Sequence, residues 1–368
     1  MEDRRHIQRA SRIVVSVFIA IALVYAVYFL PLPLFIFSAG TAEILQPMVH
    51  AKQNYEERGS FMLTTVRVSD ATVFSYLLSF VRPYEELHRK TELLQKDETE
   101  QEYTQRQEVN MLSSQSSAIQ AAYHKLNIPY KISNDGVVIM QVFKEFPAFK
   151  VLQPGDFIVK VDDTPVEKTE DLQKLLKSKQ AGDSAAITYK RKKVTKTDSI
   201  QLAVLPADEG SSQDKSAERR VGLGVVPANM QSVKAEDETK QVKIKAGDIG
   251  GPSAGLMFTL EIINKLTPED ITKGYKIAGT GTIDEKGVVG VIGGIQHKVI
   301  AADKAGADIF FAPKDYVASS GQRINNYTDA VQRGEDIHTK MKIVPVGTLD
   351  DALQYLSGLP DKENAAKG

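Results

Sequence analysis

Two residues in this chain are of a type and setting suited to acyl transfer: a serine, Ser253, and a lysine, Lys298. Ser253 lies in Lys245-Ala246-Gly247-Asp248-Ile249-Gly250-Gly251-Pro252-Ser253-Ala254-Gly255-Leu256. Glycines at 247, 250, 251 and 255 mark a backbone that turns tightly and approaches something closely. Pro252 is tolerated in the first turn of a helix, where its missing N–H is not needed. Behind it Leu256, Met257, Phe258, Leu260, Ile262 and Ile263 predict a buried helix. Taken alone, the stretch is a glycine-rich turn capped by a serine. Taken with a base, it becomes a nucleophile at a helix mouth, with the backbone of Gly251, Pro252 and Ser253 forming an oxyanion site.

Lys298 falls in a predicted helix over Ile295–Ala305, where positions 295, 298, 302 and 305 share a face. They read Ile, Lys, Ala, Ala, so the lysine sits in an apolar stripe while Gln296, His297 and Lys304 point elsewhere. A lysine in such a stripe more often snorkels to solvent. With an unperturbed pKa of ~10.4 only about one amine in 2,500 is free at pH 7. Burial that lowers the pKa to about 8 raises that fraction to roughly a tenth. Such an amine could take a proton from a serine hydroxyl, and it has no tautomer for a third group to fix.

Composition narrows the alternatives. The chain has 46 basic and 47 acidic residues, which gives no global nucleic-acid signal. It contains no cysteine, which excludes disulfides, thiol nucleophiles and thiolate metal sites. The histidines at 6, 50, 88, 124, 297 and 338 never pair at metal-ligand spacing, so no metal or other cofactor is expected. At 368 residues, two or three domains are expected.

From Ile13 to Phe37 no residue is charged, and residues 1–12 carry Arg4, Arg5, Arg9 and Arg12. That run is long enough to cross a ~30 Å hydrocarbon core. The basic flank predicts a cytoplasmic amino terminus (1–12), a span over 13–37 and the remainder outside the cell membrane. A cleaved signal peptide is the competing reading, but the apolar region exceeds the usual ~7–15 residues. Residues 38–124 then form an extracellular region. It has a strand over 59–68 and, from Tyr84 to His124, a polar helical pattern with a thin apolar stripe, expected to be a solvated spacer.

Residues 125–206 predict a compact α+β unit. It holds strands over 136–142, 157–161 and 185–189, and a helix capped by Thr169 with Leu172, Leu175 and Leu176 on one face. Pro147-Ala148, then Leu152-Gln153-Pro154-Gly155-Asp156-Phe157-Ile158, then Asp163-Thr164-Pro165-Val166 and the leucine-rich helix resemble a bacterial PDZ domain. The resemblance implies that an extended peptide adds as a strand. Its groove would be lined by Ile128, Tyr130 and Ile132 on one side and by Leu172 and Leu176 on the other. Within this unit no clean Gly-Φ-Gly-Φ carboxylate loop is present, and Pro129 removes one backbone donor. Residues 207–220 lack large apolar side chains and predict a flexible linker.

Residues 221–358 predict a mixed α/β domain that opens on a strand at 221–226, with a tail over 359–368. Here Gly251-Pro252-Ser253-Ala254-Gly255, Gly279-Thr280-Gly281 and Gly293-Gly294-Ile295-Gln296-His297-Lys298 occur in order and resemble the Lon-type proteolytic domain. The resemblance implies Ser253 as nucleophile, Lys298 as general base and Thr280 as a contact positioning that lysine. The whole is a multidomain chain: an N-terminal transmembrane helix, an α+β PDZ-like domain and an α/β Lon-type domain. That architecture is similar to the membrane-anchored PDZ–Lon proteases of Gram-positive bacteria, members of which process secreted signalling peptides such as pheromones. No Gly-x-x-x-x-Gly-Lys-Ser/Thr stretch occurs, so an ATP-independent peptidase for peptides or unfolded proteins is expected. By the same resemblance it could assemble as a homo-hexamer. The rival from another class is a non-catalytic membrane-tethered PDZ scaffold.

Overall fold

The computed structural model describes residues 2–52, 55–95, 98–192, 194–205 and 220–362, with side chains from residue 12 onward. The expected linker at 207–220, except Arg220, lies outside the described residues, as do the side chains of Arg4, Arg5 and Arg9 and the tail beyond 362.

The first element is a helix over Glu2–Phe29, with an uncharged, fully exposed apolar face from Ile13 onward. It stops short of the expected Phe37, because Pro31–Ile44 is a strand. Pro31 and Pro33 cannot continue a helix, and Phe35 and Ile36 are buried in a sheet. An uncharged apolar run reports burial in something apolar, and here lipid-length helix and core strand follow one another without a polar break.

That strand belongs to a six-stranded sheet in the order Lys342–Val346, Ile309–Pro313, Lys276–Gly279, Ser60–Thr72, Pro31–Ile44, Glu86–Arg89. The first four strands are parallel to one another, and the last two pairings are antiparallel. Half of this sheet therefore comes from residues 31–89, which the sequence assigned to a region outside the Lon-type domain.

The solvated spacer is overturned as well. Glu100–Lys125 is a helix started by a reciprocal Thr99–Glu102 capping box. Its Met111, Ala118, Ala121, Ala122 and Tyr123 are buried in one core with Leu256, Phe258, Leu260 and Ile263 of the Gly255–Leu266 helix. The thin apolar stripe is real, but small residues at 118, 121 and 122 widen it by letting the partner helix come close.

The PDZ-like unit is inserted between these halves. Its antiparallel sheet runs Val225–Ala235, Tyr130–Val142, Phe157–Val161, Ser184–Arg191, Val194–Gln201. Its own core holds Val137, Ile139, Ile158, Val161, Ile187, Tyr189 and Ile200. The segment expected as the strand opening the Lon-type domain, 221–226, is split. Val221 and Gly222 pair with Val204 and Ala203, and Val225 and Val226 begin a strand, Val225–Ala235, that pairs with Tyr130–Val142 from Val225↔Val142 to Ala235↔Tyr130.

Candidate active site

The turn around Ser253 is held from outside its own segment. Gly251 has φ +88° and donates its N–H to the carbonyl of Gln107 at 2.8 Å. Ser114 Oγ donates to the carbonyl of Pro252 at 2.9 Å. A Cβ on Gly255 would meet Ile283 Cγ2 at 2.9 Å and Ser114 Oγ at 3.0 Å, so glycine permits the close approach of the Glu100–Lys125 helix. The helix itself begins at Gly255, with Ala254 as its cap, and Pro252 is exposed ahead of it rather than in its first turn.

Lys298 lies on the Ile295–Lys304 helix and is 4% exposed, so the apolar stripe does bury it. Its Nζ is 2.7 Å from Ser253 Oγ, 2.9 Å from the carbonyl of Thr64 and 3.2 Å from Thr280 Oγ1. Thr280 Oγ1 in turn donates to the carbonyl of Ser253 at 2.9 Å. Burial, with no carboxylate at hand, lowers the lysine's pKa to about 7. At neutral pH a large share of the amine is thus unprotonated.

Donor counting then orients the cluster. A neutral amine has two N–H groups and one lone pair. The Thr64 carbonyl can only accept, and Thr280, which donates its proton to Ser253, accepts from Nζ. The lone pair is left for the third neighbour, so the Ser253 hydroxyl donates to Nζ at 2.7 Å. That is the geometry of a serine poised to lose its proton to an amine.

The oxyanion assignment needs correction. Pro252 has no N–H, and that of Gly251 is already given to Gln107. At the helix start, the first four N–H groups of a helix lack partners within it, which leaves Ser253, Ala254 and Gly255 as the candidates. His297 also departs from expectation: it is fully buried, 3.5 Å from Glu86, with its ring edge-on to Phe37. The pair with His297 holds the Glu86 carboxyl below its usual range against the opposing effect of burial.

The expected peptide groove is not formed as predicted. Ile132 and Tyr130 pair with Val233 and Ala235 on one side, while the Phe157–Val161 strand reaches only Val137 and Val138 of their strand on the other. Ile128 and Tyr130 pack against the core beneath the Ser253 helix, while Leu172 and Leu176 are buried in the core of the PDZ-like unit. The edge strand is Val225–Ala235, tied to the Thr169–Lys177 helix by a 2.7 Å bond from the Thr169 N–H to Asn229 Oδ1. It is preceded by Gly222-Leu223-Gly224-Val225, a Gly-Φ-Gly-Φ stretch across the linker from the rest of the unit. Gly224 has φ +71° and no room for a Cβ beside the Phe146 ring. The signal stood in the sequence, on the far side of the linker from where it was sought.

Known families match two stretches of the chain. Residues 218–357 match the Lon protease (S16) C-terminal proteolytic domain, and residues 111–202 match the PDZ domain. The chain therefore carries a PDZ domain and a Lon-type proteolytic domain, the latter of serine-peptidase class. Among curated relatives, the Lon protease of Malacoplasma penetrans is 35% identical over 117 residues, which cover 31% of this chain and 13% of that one. The Lon protease of Campylobacter concisus is 38% identical over 104 residues, covering 28% and 12%. The matched part is thus about an eighth of those relatives' length. Among solved structures, the PDZ domain of an SdrC-like protein from Listeria monocytogenes is 26% identical, covering 26% of this chain and 92% of that one, with a TM-score of 0.23.

Proposed function

We propose that this protein is a membrane-anchored, ATP-independent serine endopeptidase working through Ser253 and Lys298 on peptides or unfolded segments outside the membrane. Maturation of a secreted signalling peptide is its narrower task. The observation that carries the reading is the 2.7 Å contact between a partly exposed Ser253 Oγ and a buried Lys298 Nζ.

Ser253 Oγ attacks the scissile carbonyl as its proton passes to Nζ, and the negative charge on the former carbonyl oxygen meets the N–H groups at the helix start. The Lys298 ammonium returns the proton to the leaving amine, and the C–N bond breaks to leave an ester on Ser253. Water then gives a proton to the neutral amine and adds to the ester. Collapse of that second intermediate returns the Nζ proton to Ser253 and releases the new carboxylic acid, which loses its proton to solvent. Thr280 and the Thr64 carbonyl keep Nζ aligned through both halves. The Glu2–Phe29 helix is read as a retained anchor, with its basic end cytoplasmic. The peptide groove is assigned to the edge strand after Gly222-Leu223-Gly224, facing the Thr169–Lys177 helix.

A serine-reactive phosphonate probe at neutral pH tests the reading. The wild-type chain should be labelled on Ser253, and Ser253→Ala should lose the label. If the intact protein takes up no probe and cuts no unfolded polypeptide, the non-catalytic scaffold replaces the peptidase.

A further inference from the structure

We propose that the helix Val73–Ser79 and the two residues after it form a second membrane contact, laying the catalytic domain on the bilayer beside its anchor. The proposal rests on the reading of Glu2–Phe29 as that anchor. The helix, Val-Phe-Ser-Tyr-Leu-Leu-Ser, has no charged residue. Phe74 is 40% exposed, Leu77 60%, Phe80 69% and Val81 75%. A domain facing only water does not gather such side chains on one short segment.

Its position says what covers it. The ring of Phe74 stacks on Tyr28, in the last turn of the anchor helix, with centroids 4.5 Å apart. Pro31 and Thr72 are register partners, so the anchor and this helix leave the sheet at the same end. The exposed rings continue the apolar surface of the span where it meets the headgroups, the depth at which aromatic side chains are favoured. A second copy of the chain would have to reach this patch past the lipid around the span. The bilayer is already there.

The contact also sets a height. The Ser60–Thr72 strand runs from the patch back to Thr64, whose carbonyl holds Lys298. Eight residues at ~3.3 Å each put Thr64 about 26 Å from Thr72, where the patch begins, and the catalytic amine lies 2.9 Å from the Thr64 carbonyl. Bonds within that reach of the membrane surface are the ones presented for cleavage.

The chain has no tryptophan, so a single introduced indole reports its surroundings without background. The full chain is reconstituted in phosphatidylcholine–phosphatidylglycerol vesicles with bromine near the acyl carbonyls. Four variants are compared: Phe80→Trp, Leu77→Trp, Phe18→Trp within the span, and Ile44→Trp, exposed at the end of the sheet opposite the patch, where it pairs with Met62. Phe80→Trp and Leu77→Trp should emit to the blue and lose about half their intensity to the brominated lipid, as expected for side chains roughly 5–10 Å deep. Ile44→Trp should lose none. Water-like emission at 77 and 80 would overturn the contact, as would blue emission that bromine does not quench, since that marks a protein partner. Phe18→Trp judges the anchor separately: quenching there without quenching at 77 and 80 rejects this proposal and keeps the anchor.

Discussion

Replacing Lys298 by methionine will lower kcat/KM on a cleaved peptide by about 10⁴-fold, in the range seen when a positioned base is removed from a nucleophile pair. Methionine matches the stem in length and belongs in an apolar pocket, so the chain should stay folded. Ser253→Ala should give a similar loss, and the double variant little more, because the two groups act as a unit. Additive losses would show that they do not. The wild-type rate should rise with pH through about 7, where burial places the amine's titration. A profile flat from pH 6 to 9 would mean that Lys298 is not the base.

The same buried amine ties stability to pH, with a definite sign. Its folded pKa lies below its unfolded one, so the unfolded chain binds more protons between about 7 and 10.5. Its contribution to stability is complete above the unfolded pKa and is lost as pH falls through the folded one. Lys298→Met should flatten that limb of the stability curve. Glu261 acts oppositely at lower pH. Burial, with Glu57 nearby, pushes its carboxyl up to about 7, so its contribution falls as pH climbs from 4.5 to 7.

Tyr123→Ala should destabilise the catalytic domain by about 3–5 kcal/mol, the usual range for emptying a buried aromatic site. The thermal midpoint should drop by on the order of 10 °C. Tyr123 is fully buried, and its hydroxyl donates to the Lys240 carbonyl at 2.8 Å and accepts from the Val242 N–H at 3.0 Å. Those two residues lead into the Ser253 turn, so probe labelling should fall with stability. A solvated spacer would lose less than about 0.5 kcal/mol on the same change. A scan showing that small a shift would return the Glu100–Lys125 helix to the role the sequence suggested. Tyr123→Phe, which keeps the volume but leaves two backbone groups unpaired, should fall between the two outcomes.

The pairing of Ser253 with Lys298 was legible because the chemistry demands residue types. A nucleophile beside glycines and a cation in an apolar stripe are visible one letter at a time, and helix periodicity put the lysine on the face that is in fact buried. The closing helix begins where its capping residues say, at Thr348 with its Asp351 partner, but the Thr169 helix is capped by Lys168 and the helix after Ser253 starts only at Gly255. What the letters could not convey was the company these two keep. Lys298 is held by the carbonyl of Thr64, and the Ser253 turn by the carbonyl of Gln107, and any residue carries a carbonyl.

Sheet pairing was hidden for a related reason. That residues 31–89 complete the catalytic sheet, and that Val225–Ala235 leaves the Lon-type domain to edge the PDZ sheet, depends on partners far apart in the chain. A strand's alternation says that one face is buried but not against what. The sequence by itself singled out the proposed reacting atoms, the helices that carry them and an apolar segment able to enter a membrane. Only the tertiary structure decided which backbone groups surround those atoms, which strand edges the PDZ-like sheet beside its helix, and where the apolar helix gives way to a strand. Those are matters of nonlocal packing and of hydrogen bonds through groups that every residue shares.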